Sequence, residues 1–173
     1  MLKKIFYLLL VFIATIFLAS CGGGSGGGVT TSGEAISTTG IAVDPYISNS
    51  KFYIDSNKNG SYDNGEPISG SSDVNGIFTF STSMKKGDVV RMHPSYKGKH
   101  NGIDYTGNLI EGKVENALAN GRVVFSPITT IAIKHSLSEE QVVEIINDAF
   151  EDQNFMTVAD IYSDPMDQVN SAV

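Results

Sequence analysis

Residues 51–67 read "KFYIDSNKNGSYDNGEP". Phe52 and Ile54 alternate with Lys51, Tyr53 and Asp55, a period of two that fits a half-buried strand. From Asp55 the pattern changes. Asp55, Asn57, Asn59, Asp63 and Glu66 stand at positions one, three, five, nine and twelve of a twelve-residue stretch, with Gly60 at the sixth. That is the spacing of a calcium-binding loop. Alternate side chains converge as the backbone curls, and glycine permits the sharp bend. Ser61, at the seventh position, would offer its backbone carbonyl. Asp63 would bind directly or through water, and Glu66 would supply two oxygens. Three carboxylates and two neutral amides suit a weak extracellular site, of order 10⁻⁴ to 10⁻³ M, and suit calcium better than magnesium. The competing reading is a polar turn, since Asp, Asn and Gly are what turns use.

The flanks decide between a mobile and a rigid frame. Period two precedes the loop, and Pro67 follows Glu66 directly, which hinders an exiting helix. The loop is therefore expected to be clamped by strands. Helix-framed calcium sensors open on binding; a strand-clamped loop would be made firmer instead. Asp73 and Asn75 could lend a further ligand, but the pair reads more simply as part of a hairpin turn with Gly76.

Further out, Ile41-Ala42-Val43 is a short apolar run ended by Asp44-Pro45. Ser72 to Gly76 is a turn signal before the alternating Ile77-Phe78-Thr79-Phe80. Lys86-Gly87-Asp88 is another, before Val89 to Met92. Gly121 precedes the strand-like Arg122 to Phe125. Several short strands with Gly/Asn/Asp turns predict an antiparallel β-sandwich over 40–125. After it the period changes. Ser126-Pro127 reads as a helix start. Ser138 and Gln141 form a capping box, with Leu137 and Val142 as a hydrophobic staple. Val142, Ile145, Ile146, Ala149 and Phe150 form an apolar stripe. Asp164-Pro165 could open a last helix carrying Met166 and Val169. The fold class is thus mainly β with C-terminal helices: a sandwich followed by two or three short helices over 126–173.

The N-terminus speaks to location. Lys3 and Lys4 precede an apolar run from Ile5 to Leu18 that is too short to span a bilayer, as in a secretory signal over 1–20. It ends in Leu18-Ala19-Ser20-Cys21, which resembles a bacterial lipobox. That resemblance implies cleavage before Cys21 and acylation of its thiol and new amino group. The alternative is an ordinary signal peptide with an incidental cysteine. Cys21 is the only cysteine, so no disulfide competes for it. One acyl chain holds marginally, several durably. Gly22, rather than Asp, after the cysteine resembles lipoproteins sent to the outer membrane of Gram-negative hosts, and leaves its face open. Residues 21–39, rich in Gly, Ser and Thr, read as a flexible tether.

The remainder suits one domain. The whole chain carries a formal charge of −7; loss of Lys3 and Lys4 takes it to −9. That acidity argues against nucleic acid and anionic lipid surfaces as partners, and suits divalent cations.

The stretch "YISNSKFYIDSNKNGSYDNGEPISGSSDVNGIFTF" resembles the repeat modules of bacterial surface proteins, which run strand, D-x-N-x-N-G-x-x-D-x-G-E-P, spacer, then T-D-x-x-G-x-F/Y-x-F. These include calcium-binding adhesin B repeats and other prealbumin-like, Ig-like or Cna-B-type sandwiches. The likeness covers about residues 41–92. Ser72 replaces the pattern's Thr, the spacer after Glu66-Pro67 is shorter, and one module stands where adhesins often carry several. Over 101–165, "NGIDYTGN", "VVFSPITTIA" and "LSEEQVVEIINDAF" resemble the helical segment often found beside such modules. The resemblance implies a calcium-binding module of a surface protein.

The residues agree with a non-enzymatic reading. His93, His100 and His135 lack zinc-ligand spacing. There is no nucleophile elbow, phosphate-binding loop or H-E-x-x-H. Ser126, Thr129 and Thr130 read as helix-start residues. Two functions remain: a lipid-anchored, calcium-stabilised structural or adhesive module with a protein or polysaccharide partner, or a solute- or carbohydrate-binding or envelope-assembly lipoprotein in which calcium is incidental. The second requires a concave apolar pocket between sheets and helices. Tyr46, Tyr96 and Tyr105 are candidate sugar contacts.

Overall fold

The computed structural model describes residues 33–153, 155–164 and 166. The signal segment, the expected acylation site Cys21, tether residues 22–32, and Pro165 and Val169 of the expected last helix lie outside the described residues. Among the described residues, no helix is long and apolar enough to cross a membrane.

The described residues are mainly β, with three sheets of three strands and three short helices. One sheet has the order β4 (Ile77–Lys85), β1 (Ala35–Ala42), β9 (Arg122–Phe125); another has β3 (Phe52–Ile54), β5 (Val89–Met92), β8 (Glu111–Lys113). A small third sheet, unforeseen in the sequence, joins β2 (Ile47–Ser48), β6 (Lys99–His100) and β7 (Ile103–Asp104).

The first two sheets feed one core. Phe52 of β3 stacks on Phe78 of β4 at 4.0 Å between ring centroids, and Phe125 of β9 lies 5.8 Å from Phe78. Met84, Val90, Met92, Val123 and Ile110 are among the residues packed around them. The rings can close over β1 because Gly40 has no side chain. A Cβ there would fall 2.3 Å from Phe78 and 2.9 Å from Phe125.

Two expectations need correction. The strands are not all antiparallel: β1 and β9 run parallel, from Thr39↔Arg122 to Ala42↔Phe125. The long connection between them returns the chain in the same direction. β1 also begins at Ala35, inside the stretch read as tether. The nine-residue β4 is long enough to pair that far back, at Ala35↔Lys85, and Lys86 N–H donates to Glu34 O at 2.9 Å. The Ser37 hydroxyl also donates to the Gly121 carbonyl.

The helices begin where their caps indicate. Ser126 caps α1 (Pro127–His135) and Ser138 caps α2 (Glu139–Ala149), each in a reciprocal box. α1 lies on β8. Thr129 Oγ1 donates to Glu111 O at 2.8 Å, and Glu111 N–H donates to Thr130 Oγ1 at 3.0 Å. The stripe expected on α2 is mostly not a buried face. Val142 is buried and Ile146 half-buried, but Ile145, Ala149 and Phe150 are exposed. Asn147 is buried instead. Its amide donates to Gln153 O and Met156 O and accepts from Met156 N–H, tying the chain after α2 onto the helix. The short α3 (Val158–Ile161) follows.

Candidate metal centre

The loop 55–66 leaves the end of β3, and the chain after it pairs back against that strand. Ile54 N–H donates to Pro67 O at 3.0 Å, Ser69 N–H donates to Phe52 O at 2.8 Å, and Tyr53 bridges Ile68 antiparallel. β5 flanks β3 on the other side through Tyr53↔Arg91 and Ile54↔Val90. Both ends of the loop are therefore anchored in extended backbone, with no helix on either side.

Within the loop the five side chains at ligand positions are drawn into one network. Asp55 Oδ2 accepts from Gly60 N–H at 2.9 Å and Oδ1 from Asn59 N–H at 3.1 Å. Gly60 takes φ 83°, the left-handed region that favours glycine. Asn57 Oδ1 accepts from Asn59 N–H, and Asn59 Oδ1 from Ser61 N–H at 2.8 Å. Both amides donate to the same oxygen, Asp63 Oδ2, at 2.7 Å each. Glu66 reaches back across the loop: Oε1 accepts from Ser56 N–H at 2.8 Å and Oε2 from Asp63 N–H at 3.0 Å. Ser61 lies exposed on the same bend.

This donor set suits a hard cation. It is oxygen-rich, combines neutral amides with carboxylates, and sits at the protein surface. Among the described residues, no lysine or arginine pairs with Asp63 or Glu66. One feature opposes the fit. No group of three His, Cys, Asp or Glu among the described residues could hold one metal ion. Asp55 faces a guanidinium instead: Arg91 Nε donates to Asp55 Oδ2 at 2.7 Å, while Nη1 pairs with Glu111 of β8. The Asp55 side chain is fully buried and that of Glu111 nearly so. Burial pushes the Asp55 carboxyl up, but hydrogen bonds from Arg91 and from the Gly60 amide outweigh it and hold it below the usual range.

Arg91 and Glu111 carried no local signal. They meet Asp55 only through the register of three strands, Tyr53↔Arg91 and Arg91↔Glu111. The loop also covers its own strand. Tyr62, at the eighth position, packs edge-on against Tyr53 at 5.4 Å and lies 4.8 Å from His93. Tyr53 is therefore buried, although its place in the alternation predicts exposure.

The remaining candidates are placed elsewhere. Asp73 Oδ1 accepts from Asn75 and Ile77 N–H at 2.9 Å each, so it serves the turn before β4. Tyr46 and Tyr105 pack inward, their hydroxyls donating to Asp164 and Asp44. Tyr96 stays 47% exposed, with Lys51 Nζ 4.7 Å above its ring. A cleft of ≈ 580 Å³ lies among Pro45, Pro127, Ile128, Met156, Ile161 and Met166. No protein-family model, curated protein or solved structure matches the chain.

Proposed function

We propose that this chain is a non-enzymatic, lipid-anchored envelope protein whose β module binds calcium structurally through residues 55–66. The observation that carries the reading is the gathering of Asn57, Asn59, Asp63 and Glu66 on a strand-anchored bend, with no lysine or arginine among the described residues paired to Asp63 or Glu66. Asp55, Asn57, Asn59, Asp63 and Glu66 would hold the ion through side-chain oxygens, and Ser61 through its carbonyl. Bound calcium would supply charge neutralisation and cross-linking of the loop's two arms. At ten times its dissociation constant the ion would stabilise the fold by about 1.4 kcal/mol. The core shared by the two larger sheets supports a sandwich of the prealbumin-like or Cna-B kind. The lipobox-like residues 18–21 support anchoring of exported protein to the cell envelope, at the outer membrane in a Gram-negative host. Such a module serves structure or adhesion, with a protein or polysaccharide as partner.

Equilibrium dialysis against millimolar calcium tests the site. The wild-type chain should retain the ion and melt higher than in EDTA, with no change of oligomeric state. Glu66→Ala and Asp63→Ala should lose both effects. A melting curve that EDTA leaves unmoved would count against the reading.

The cleft among Pro45, Pro127, Ile128 and α3 favours a second reading, in which the protein holds a small apolar solute and calcium is incidental. Its walls are the turn after β1, the start of α1 and the residues around α3, and they are mostly apolar, as a solute pocket requires. Binding of an apolar fluorophore, lost in Ile128→Asp and indifferent to EDTA, would support it.

A further inference from the structure

The proposed site contains a cation of its own. Arg91 bridges the loop's first position, Asp55, to Glu111 on the neighbouring strand, and both carboxylates are almost completely removed from water. A buried carboxylate without a partner is strongly unfavourable, so the guanidinium is what allows both acids to stay ionised there. The fork of Arg reaches the two acids at once through Nε and Nη1 in a fixed plane, a geometry that the point charge of an ammonium does not impose. Asp55 Oδ2 is therefore committed to Arg91 and Gly60, leaving Oδ1, already accepting from Asn59 N–H, as its oxygen toward the loop interior.

We infer that Arg91 is a resident counter-cation of the loop, keeping it folded without metal and lowering its calcium affinity by competing for Asp55. This rests on the calcium reading above. Two consequences of the geometry act in one direction. A divalent ion beside Asp55 is repelled by the guanidinium bonded to the same carboxylate. The Arg91–Asp55 bond stabilises the metal-free loop, and whatever part of it a bound ion weakens is subtracted from the binding. Arg91 is a positioning residue: it does not ligate the ion, and acts on it through its hold on Asp55 and through charge repulsion.

The test compares the full-length wild type with Arg91→Gln/Glu111→Gln, which removes the guanidinium together with its second partner. Two measurements are made: calcium affinity by equilibrium dialysis with the metal alone, and melting temperature in EDTA and in calcium. The double variant should melt lower than wild type in EDTA and gain more from calcium. It should bind calcium about tenfold more tightly, because the cation lost is bonded to Asp55 itself whereas the anion lost with it, Glu111, is not. Arg91→Lys keeps the charge but loses the fork, and should tighten binding by a smaller factor. If wild type binds calcium and the variants bind it equally or more weakly, the role of Arg91 is overturned and the calcium site stands. If none binds calcium, the calcium reading falls, and this role with it. If only the variants bind, Arg91 does compete for Asp55 and the native loop is not a calcium site. Should the double variant fail to fold even in calcium, the affinity of Arg91→Lys against wild type decides by the same criteria.

Discussion

The β module and the helical segment after it solve the same problem to different degrees. In the module, Phe52, Phe78 and Phe125 meet ring to ring, and Ile47, Met84, Val90, Met92 and Val123 are fully enclosed. On α2, only Val142 and Asn147 are buried; Ile145 on the helix, and Phe150 and Phe155 after it, are exposed. Phe150 and Phe155 stack on each other at 4.1 Å. The module draws apolar residues from two sheets onto a common centre, whereas α2 is held largely by its caps and by Asn147. Most of the fold's stability therefore resides in the module. α2 and α3 belong to the part expected to open first.

Truncation at the centre of the module should break this contrast most sharply. Phe78→Ala is expected to cost about 3–5 kcal/mol, the range for deleting a buried aromatic ring. Urea denaturation followed by far-UV circular dichroism would measure it, and a loss below about 1 kcal/mol would refute the picture of a single shared core.

Acid should act next, and in two limbs. Burial, reinforced by the nearby Lys51 charge, holds the His93 imidazole below its usual range, whereas an unfolded histidine titrates near 6.5. Between those two values the unfolded chain binds more protons, so stability falls as the pH drops below about 6.5. Asp55 behaves as a depressed carboxylate. Its contribution is full above about 3.9, the unfolded value, and is lost as the pH falls through its lower folded value. His93→Phe should flatten the upper limb and leave the lower one. Melting temperatures across pH 3 to 8 in EDTA would separate the two.

The smallest effect belongs to the helical segment. Ile145→Ser, at a position 53% exposed, should change stability by no more than about 0.5 kcal/mol. A larger loss would show that the exposed face of α2 is covered in solution, and would narrow the gap between the two regions.

Features written into neighbouring residues were legible in the sequence. The strand at 52–54, the turn at 73–76, the helix start at Ser126-Pro127 and the capping box at Ser138 are local, and the backbone obeys them. Local turn chemistry also shows at 55–61, where Asp55, Asn57 and Asn59 each accept backbone N–H groups a few residues on. What depends on register was not legible. Nothing near Arg91 announces that it will face Asp55, and β8 has no alternation to mark Glu111 as buried. Periodicity misplaced Tyr53 because its outer face is covered by Tyr62 and His93, from the loop and from beyond β5. It overstated α2 because an apolar stripe requires an opposing surface, and the burial went to Asn147 instead.

The parallel pairing of β1 with β9 has a consequence for synthesis. β1 is the middle strand of its sheet, and its second neighbour is made more than eighty residues later. Until Phe125 has emerged from the ribosome, one side of β1 has no partner, and Phe78 lacks one of the rings that enclose it. Nascent chains halted before Arg122 would present that open edge to one another. Premature termination between β8 and β9 is thus a route to aggregates, whereas termination after α1 leaves the sheet closed.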